Sequence, residues 1–322
     1  MGSLPHRDTN SAARLAFGAT SLPYIPSLPR RSPAEGLISQ AVVGIEGVTL
    51  GQYGSLAVDI PLLDPASPVR TDLHHDAFGG LRAFIEEAQH RRYRGALKWQ
   101  IAGPVTLGLA LERAGVPTEV AYDVALTAVQ QRAGALLAHV AQALPGVDQV
   151  VLLDEPGLSG MHQSGFPLAP DVAIDLLSSA LAVIEPHAMA GVHCCGEVDL
   201  ASLLAAGPDI VSVPVSPALV PAAGYLTEFL ERGGVMAWGV VATDGPVPHT
   251  AERPWRLLSD LWCGLVNAGC DPVRLRTNSM VTPACGLGLH SPTIAAKVLD
   301  LVRHVEARIA DQAVATRITF GA

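Results

Sequence analysis

Short apolar segments alternate with longer helical patterns along the whole length of this 322-residue chain. The apolar segments are rich in Val, Ile and Leu without clean alternation, which is typical of strands buried on both faces of a parallel sheet. The predicted strands are Arg14–Ala19, Gly47–Tyr53, Ala96–Ile101, Gln149–Leu153, Ala188–His193, Asp209–Val213, Gly234–Val240 and Arg274–Val281.

Ala-rich helical patterns lie between these segments, and several begin with Pro, which fits the first turn of a helix. The predicted helices are Pro33–Val43, Phe78–Arg92, Pro117–Leu144, Pro170–Glu185, Leu200–Ala206, Pro221–Arg232, Pro254–Ala268 and Ser291–Ala310. Eight such pairs predict an α/β fold, a (β/α)₈ TIM barrel. We expect one domain over residues 14–322, after a flexible segment at residues 1–13.

Composition excludes several classes of protein. Hydrophobic residues make up 49% of the chain, which is too many for a disordered protein. The net charge of −9 argues against a nucleic-acid partner or an anionic membrane surface. No apolar run is long enough to cross a bilayer, and the first residues lack the apolar core of a secretory signal. We therefore expect a cytoplasmic protein with reduced cysteines.

A His-Cys-Cys sequence ends the fifth predicted strand. Side chains of a strand alternate between its faces, so His193 and Cys195 share one face while Cys194 points away. Imidazole and thiolate both suit Zn²⁺, so this pair is a plausible half of a zinc site. A buried Cys pair beside a core His is the alternative, because free Cys is commonly buried.

A further cysteine, Cys285, follows the eighth predicted strand. Because the strand ends converge at one face of a barrel, it could complete a set with His193 and Cys195. Three protein ligands leave one zinc position open, which is typical of catalytic sites. The remaining cysteines, Cys263 and Cys270, are expected to be packing residues.

Two other motifs fall at strand ends. Asp154 and Glu155 follow the fourth strand, where an acid can bind an amine, orient a ligand or move a proton. A loop cap or an ion pair is the alternative role. The sequence AGPVT at residues 102–106 predicts a tight turn into a helix, whose backbone N–H groups could hold an anionic group.

Taken in the order in which they occur along the chain, the motifs resemble the catalytic barrel of the cobalamin-independent methionine synthase family. This family shares a superfamily with uroporphyrinogen decarboxylases. The resemblance is carried by AGPVT (102–106), LDEPGL (153–158), VHCCGE (192–197) and TPACGL (282–287). Residues 18–33, GATSLPYIPSLPRRSP, are similar to the family's opening, where a Gly-Ser-x-Pro element forms part of the amino-acid site. The full-length enzyme has a second barrel, whereas this chain resembles the catalytic barrel only.

The resemblance implies zinc ligands and substrate contacts. His193, Cys195 and Cys285 match the ligands, and Asp154 matches the acid that holds the homocysteine amino group. Ser21 falls at the Ser of the Gly-Ser-x-Pro element, with Thr20 in place of the Gly. We therefore predict Asp154 as the catalytic residue. The predicted substrate-binding residues are Ser21, Asp154 and Glu155.

This chain departs from the family at two places. Pro214 stands where the family often has a Glu ligand, so the zinc has three protein ligands or takes Glu197 or Asp199 as a fourth. The family also has a His after the seventh strand that assists methyl transfer, whereas the sequence there is VVATD at residues 240–244. The second departure weakens methyltetrahydrofolate as the methyl donor.

The sequence therefore predicts a zinc-dependent thiol methyltransferase. Zn²⁺ would hold the acceptor thiol as a thiolate, which attacks an activated methyl group. Homocysteine is the leading acceptor, and the donor is methylcobalamin, a corrinoid protein or methyltetrahydrofolate. Two alternatives stay open: an alkyl transferase that uses another thiol such as coenzyme M or a corrinoid-protein donor, and a non-catalytic metal-binding barrel. A decarboxylase would not need the distant Cys.

Overall fold

The computed structural model describes residues 2–51 and 54–320, with side chains as far as residue 312. Among these residues, two short strands form an antiparallel hairpin and six longer ones form a parallel sheet in chain order. The hairpin consists of β1 (Val48–Leu50) and β2 (Leu56–Val58). The sheet consists of β3 (Leu97–Ala102), β4 (Gln149–Asp154), β5 (Met189–His193), β6 (Ile210–Pro214), β7 (Val235–Val241) and β8 (Ser279–Pro283).

Helices connect the parallel strands and pack on the outer face of the sheet. They are α1 (Thr9–Gly18), α2 (Leu37–Val42), α3 (Gly79–His90), α4 (Pro104–Arg113), α5 (Thr118–Ala143), α6 (Pro170–Leu181), α7 (Leu200–Ala205), α8 (Ala223–Glu231), α9 (Glu252–Asn267), α10 (Pro272–Thr277) and α11 (Pro292–Phe320). Each predicted helix is found, and α11 runs ten residues beyond the predicted end at Ala310. Within the described ranges, no helix is both long and apolar enough to cross a membrane.

The two faces of the sheet are both apolar, as strands of a parallel sheet should be. Outward side chains such as Val151, Leu153 and Val211 belong to the large core shared with the helices. A smaller buried cluster lies on the inner face and contains Val150, Leu152, Ile210 and Ala237. This alternation explains why most of the strand segments show no polar face in the sequence. β3 is the exception, because Lys98 and Gln100 are level with Val150 and Leu152 of the inner face.

The first predicted strand is wrong. Most of Arg14–Ala19 lies in helix α1, whose N-terminus is capped by Asp8 through a 2.8 Å hydrogen bond from the Ser11 N–H. The apolar run that suggested a strand is part of the buried face of this helix, and a run of six residues is too short to separate the two periods. The expected boundary after residue 13 therefore falls inside a helix.

The second predicted strand is also misplaced. Val48–Leu50 is a strand, but it pairs antiparallel with Leu56–Val58, apart from the parallel sheet. Gln52 and Tyr53, at the end of the predicted segment, lie outside the described residues. A short β-rich segment does not reveal its partner, because pairing is a tertiary choice.

Two irregular segments extend the wall between β3 and the end of β8. Lys98 N–H donates to the Pro23 carbonyl at 2.9 Å, and Ile25 N–H donates to the Lys98 carbonyl at 2.8 Å. Leu4 N–H then donates to the Ser27 carbonyl at 2.9 Å, and Leu287 N–H donates to the Ser3 carbonyl at 3.0 Å.

The bonds thus pass from β3 through residues 23–27 and residues 2–4 to the loop after β8. Pro23 and Pro26 lack the N–H groups of a regular ladder, so these contacts are isolated bridges rather than strands. The described residues therefore form a curled six-stranded parallel sheet with two irregular additions, not eight regular barrel strands.

Candidate metal centre

The three predicted metal ligands converge at the carboxyl ends of the parallel strands. His193 ends β5, Cys195 follows it by two residues, and Cys285 follows β8 by two residues. One ligand atom from each of these side chains lies within 4.8 Å of the others. His193 is buried and both cysteines are half-buried, so the group is open on one side.

Neighbouring strand ends fix the backbone around His193. Its carbonyl accepts a 2.7 Å hydrogen bond from the Glu155 N–H after β4, and the next N–H, of Cys194, donates to the Ser212 carbonyl of β6 at 3.0 Å. Ala284, directly before Cys285, donates to the Val241 carbonyl at the end of β7 at 2.8 Å. Backbone hydrogen bonds among five adjacent strands, β4 to β8, therefore hold the centre.

The His193 ring is oriented by a side chain that the sequence analysis missed. Ser212 Oγ lies 3.0 Å from His193 Nδ1, and both residues are buried. A hydrogen bond at Nδ1 leaves Nε2 as the nitrogen available to a metal ion, an arrangement common among metal-binding histidines. In the sequence, the feature that could have pointed to Ser212 is its place as the single Ser in the apolar strand Ile210–Pro214.

The ionisation of these groups suits a cation. Burial lowers the pKa of His193, so its imidazole is neutral at pH 7. Hydrogen bonds from Cys195 and His193 lower the pKa of Cys285 to about 4, while the hydrogen bond with Cys285 and burial raise the pKa of Cys195. The pair thus carries one thiolate, and neutral imidazole and thiolate are the forms that bind metal ions.

The other cysteines lie apart from this group. Cys194 is fully buried, and burial raises the pKa of its thiol to about 11. Cys270 is buried, with its sulfur 3.5 Å from the Ala223 carbonyl oxygen. Cys263 is exposed on α9, so the expectation that it packs in the core is wrong. The apolar face of α9 falls on other residues, including Leu258, Leu261 and Leu265.

The structure does not bring the candidate fourth ligands to the cluster. Within the described part of the chain, the cluster of His193, Cys195 and Cys285 contains neither Glu197 nor Asp199. Glu197 is exposed, and Asp199 caps α7 by accepting a 3.0 Å hydrogen bond from the Ser202 N–H. Pro214 ends β6 opposite Gly239 and offers no side-chain donor atom.

Asp154 lies beside the cluster of His193, Cys195 and Cys285. It ends β4 directly opposite His193 in the strand register and is half-buried. Its charge raises the pKa of buried Lys98, against the larger lowering by burial, so the two side chains are close. Lys98 also donates to Gln100 Oε1. The sequence analysis missed Lys98, although a cation inside the apolar strand Leu97–Ala102 was a visible signal.

Glu155 occupies the anion site that the sequence predicted at residues 102–106. Its buried carboxylate accepts hydrogen bonds from the Val105 N–H at 2.9 Å, the Thr106 N–H at 2.7 Å and the Thr106 hydroxyl at 2.5 Å. The anion that α4 holds is therefore a side chain of the same chain. Both carboxylate oxygens are engaged inside the protein, and burial raises the pKa of Glu155 to about 7.

Ser21 lies toward the end of the sheet opposite to the candidate metal centre. It is exposed at a cavity of about 390 Å³ that is also lined by inner-face residues and by α11. Tyr24, three residues later, pairs with Lys98, which is level with Val150 in the next strand. Asp154 lies four residues further along β4, or roughly 13 Å at the usual strand rise. The structure does not bring Ser21 to the predicted site.

An exact Gly-Ser-x-Pro sequence lies at the end of the sheet that carries His193, Cys195 and Cys285. Residues 2–5 read Gly-Ser-Leu-Pro, and Ser3 Oγ accepts a 3.1 Å hydrogen bond from the Gly288 N–H in the loop after Cys285. Leu4 is completely buried. This pattern is present in the sequence at residues 2–5, within the segment that we expected to be flexible. Only the fold shows that it lies beside the loop that carries Cys285.

Comparison with known proteins supports the fold. No protein-family model matches the chain, and no curated protein matches it. Among solved structures it is similar to a Listeria monocytogenes protein provisionally described as a vitamin-B12-independent methionine synthase, with a TM-score of 0.54 and 14% identity. The alignment covers 97% of this chain and 96% of the other. The likeness is one of fold. It extends over nearly the whole of both chains.

Proposed function

We propose that this chain is a zinc-dependent methyltransferase that acts on a thiol, with homocysteine as the acceptor and methionine as the product. The observation that carries the proposal is the convergence of His193, Cys195 and Cys285 at one end of the sheet. The motif resemblance and the fold shared with the Listeria protein support the same chemistry.

The donor set fits Zn²⁺. One nitrogen and two sulfurs are ligands that Zn²⁺ prefers, and atoms bound at about 2.0–2.3 Å in a tetrahedral arrangement lie about 3.3–3.8 Å apart. The separations of up to 4.8 Å in this cluster reach that geometry with side-chain movements of about 1 Å. When bound, Zn²⁺ would lower the pKa of the acceptor thiol and keep its sulfur nucleophilic. Three protein ligands leave the fourth position for that thiol.

The protein groups around the cluster bind and orient the acceptor. Asp154, opposite His193, would accept hydrogen bonds from the substrate ammonium group. Ser212 holds the His193 ring, and Glu155 ties the start of α4 to the end of β4. Buried Lys98 lies beside Asp154, whose charge raises the pKa of the Lys98 amine against the larger lowering by burial.

Methyl transfer to homocysteine tests the proposal directly. We expect methionine, detected by mass spectrometry, when zinc-loaded protein is mixed with homocysteine and methylcobalamin. The Cys285→Ser variant should form none above the uncatalysed rate, whereas Cys194→Ser should match the wild type. Product from coenzyme M but not from homocysteine would favour the alkyl-transferase alternative. Zinc binding without transfer to either thiol would favour a non-catalytic barrel.

The Asp154→Asn variant should bind homocysteine more weakly without losing zinc. A charge-assisted hydrogen bond contributes roughly 1.5–3 kcal/mol, so the affinity should fall about tenfold or more. Calorimetric titration of zinc-loaded protein measures the change, and 4-mercaptobutyrate, which is homocysteine without its amino group, is the matched ligand. Its affinity should be the same for both proteins. Equal homocysteine affinities would remove Asp154 from the amino-acid site.

We expect methyltetrahydrofolate to be a poorer donor than methylcobalamin. The tertiary amine of the folate leaves badly unless an acid protonates it, whereas a corrinoid methyl group needs no such proton. Residues 240–244, VVATD, which span the end of β7 and the three residues after it, contain no His to serve as that acid, and the first His after the strand is His249. Methionine formation should be compared between the two donors, with Cys285→Ser as the blank. Efficient turnover with methyltetrahydrofolate alone would contradict this prediction.

A further inference from the structure

The loop after β8 that carries Cys285 is fastened by the N-terminal part of the chain. The Ser3 carbonyl accepts a 3.0 Å hydrogen bond from the Leu287 N–H, and Ser3 Oγ accepts a 3.1 Å hydrogen bond from the Gly288 N–H. One residue therefore receives two consecutive N–H groups of the loop, two and three positions after Cys285.

Arg30 fastens the same loop from a second segment. Its Nε donates to the Gly288 carbonyl at 3.0 Å, and its Nη2 donates to the Leu289 carbonyl at 2.5 Å. The planar fork of a guanidinium makes two such bonds in one fixed geometry. Both acceptors are backbone atoms, so Arg30 holds the path of the loop and not one of its side chains.

The loop and these two segments are in close contact. A Cβ atom on Gly286 would lie 2.3 Å from Ser3 Oγ, and one on Gly288 would lie 2.8 Å from Pro29 Cγ. The glycines on either side of Leu287 therefore permit the approach. On its other side, Cys285 is anchored through Ala284, which bonds the Val241 carbonyl of β7.

We propose that Ser3 and Arg30 form a clasp that places Cys285 within reach of the metal ion. His193 and Cys195 lie on one continuous segment at the end of β5, whereas Cys285 comes from a separate loop. Holding that loop in advance removes an ordering cost from metal binding. Arg30 is a positioning residue in this scheme, and the inference rests on the metal centre of the proposed function.

The Arg30→Ala variant tests the clasp through metal affinity. Residues that orient metal ligands typically change affinity by about 10–100-fold when removed, so we expect zinc to bind at least about tenfold more weakly. Competition with a chromophoric chelator measures this change. Arg7→Ala, which removes another exposed arginine near the N-terminus, is the matched control and should bind zinc like the wild type.

Two further measurements separate positioning from a general loss of structure. In Co²⁺-loaded protein, the thiolate-to-metal absorption of Arg30→Ala should weaken toward that of Cys285→Ser. In a Cys285→Ser background, Arg30→Ala should cause no further loss of zinc affinity, because the ligand that it positions is already gone. Arg30→Gln, which keeps one donor, should lose less affinity than Arg30→Ala.

Two results would overturn the clasp: an Arg30→Ala variant with wild-type zinc affinity, or an equal loss of affinity in both backgrounds. Wild-type protein that binds no zinc would instead overturn the proposed function itself. The two failures are therefore distinguishable within one set of measurements.

Discussion

Protein purified without chelators should contain close to one Zn²⁺ per chain, and loss of any of three side chains should remove most of it. The substitutions are His193→Ala, Cys195→Ser and Cys285→Ser. Each deletes one of the three donor atoms that lie within 4.8 Å of one another. With a fourth position left to solvent or substrate, two remaining protein ligands hold the ion far less tightly. Elemental analysis of dialysed protein, with concentration from amino-acid analysis, measures the stoichiometry.

Cys194→Ser is the matched control for these variants, because Cys194 is adjacent in sequence but fully buried away from the cluster. It should keep a wild-type metal content. If Cys194→Ser empties the site while Cys195→Ser does not, the assignment of faces at the end of β5 is inverted. A full zinc content in Cys285→Ser would leave the loop after β8 outside the centre.

The Glu155→Gln variant should become more stable relative to the wild type as the pH rises from about 5 to about 8. Burial raises the pKa of Glu155 from 4.5 to about 7 in the folded protein, so the folded state binds this proton more tightly than the unfolded state does. Binding of this proton stabilises the folded protein fully at pH values below the pKa of Glu155 in the unfolded chain. The stabilisation is lost as the pH rises through the pKa of Glu155 in the folded protein. The shift corresponds to about 3 kcal/mol of unfolding free energy.

Urea unfolding of both proteins at several pH values measures this effect. The informative quantity is the difference between wild type and variant, because other groups that titrate affect both proteins equally. Glu86→Gln, at an exposed position of α3, is the matched control for the loss of one carboxylate at the surface. A constant difference for Glu155→Gln would mean that the hydrogen bonds from Val105 and Thr106 keep the carboxylate ionised throughout this range.

Periodicity and turn chemistry predicted five strands of the parallel sheet to within one residue at each end. The last prediction, Arg274–Val281, is wrong in its first half, which lies in helix α10, and only Ser279–Val281 belongs to β8. Most of these strands are apolar on both faces, and Gly or charged residues mark several of their ends, such as Gly103 after β3 and Asp148 before β4. The same alternation, continued two residues past the end of β5, also predicted His193 and Cys195 on one face and Cys194 on the other. The structure then brings Cys285 to the same pair, which sequence spacing suggested only through the convergence of strand ends.

The same local signals failed where the wall of the sheet is irregular. Residues 23–27 contain two prolines and pair with β3 through only a few hydrogen bonds, so no strand pattern marks them. Arg14–Ala19 looked like a strand because its apolar residues face the core from a helix. Gly2–Pro5 repeats the expected Gly-Ser-x-Pro pattern but was overlooked because the first residues of a chain are commonly poorly ordered.

The sequence by itself determined the α/β class, the order of the main strands and which side chains near the metal centre share a face, because these follow from periods of a few residues. Tertiary structure alone decided which segments complete the wall, which anion α4 holds and how the Cys285 loop is fastened. Glu155 meets Val105 and Thr106 across about fifty residues, and Arg30 meets Gly288 across 258. Contacts at such separations leave no periodic trace, since they depend on how whole elements pack.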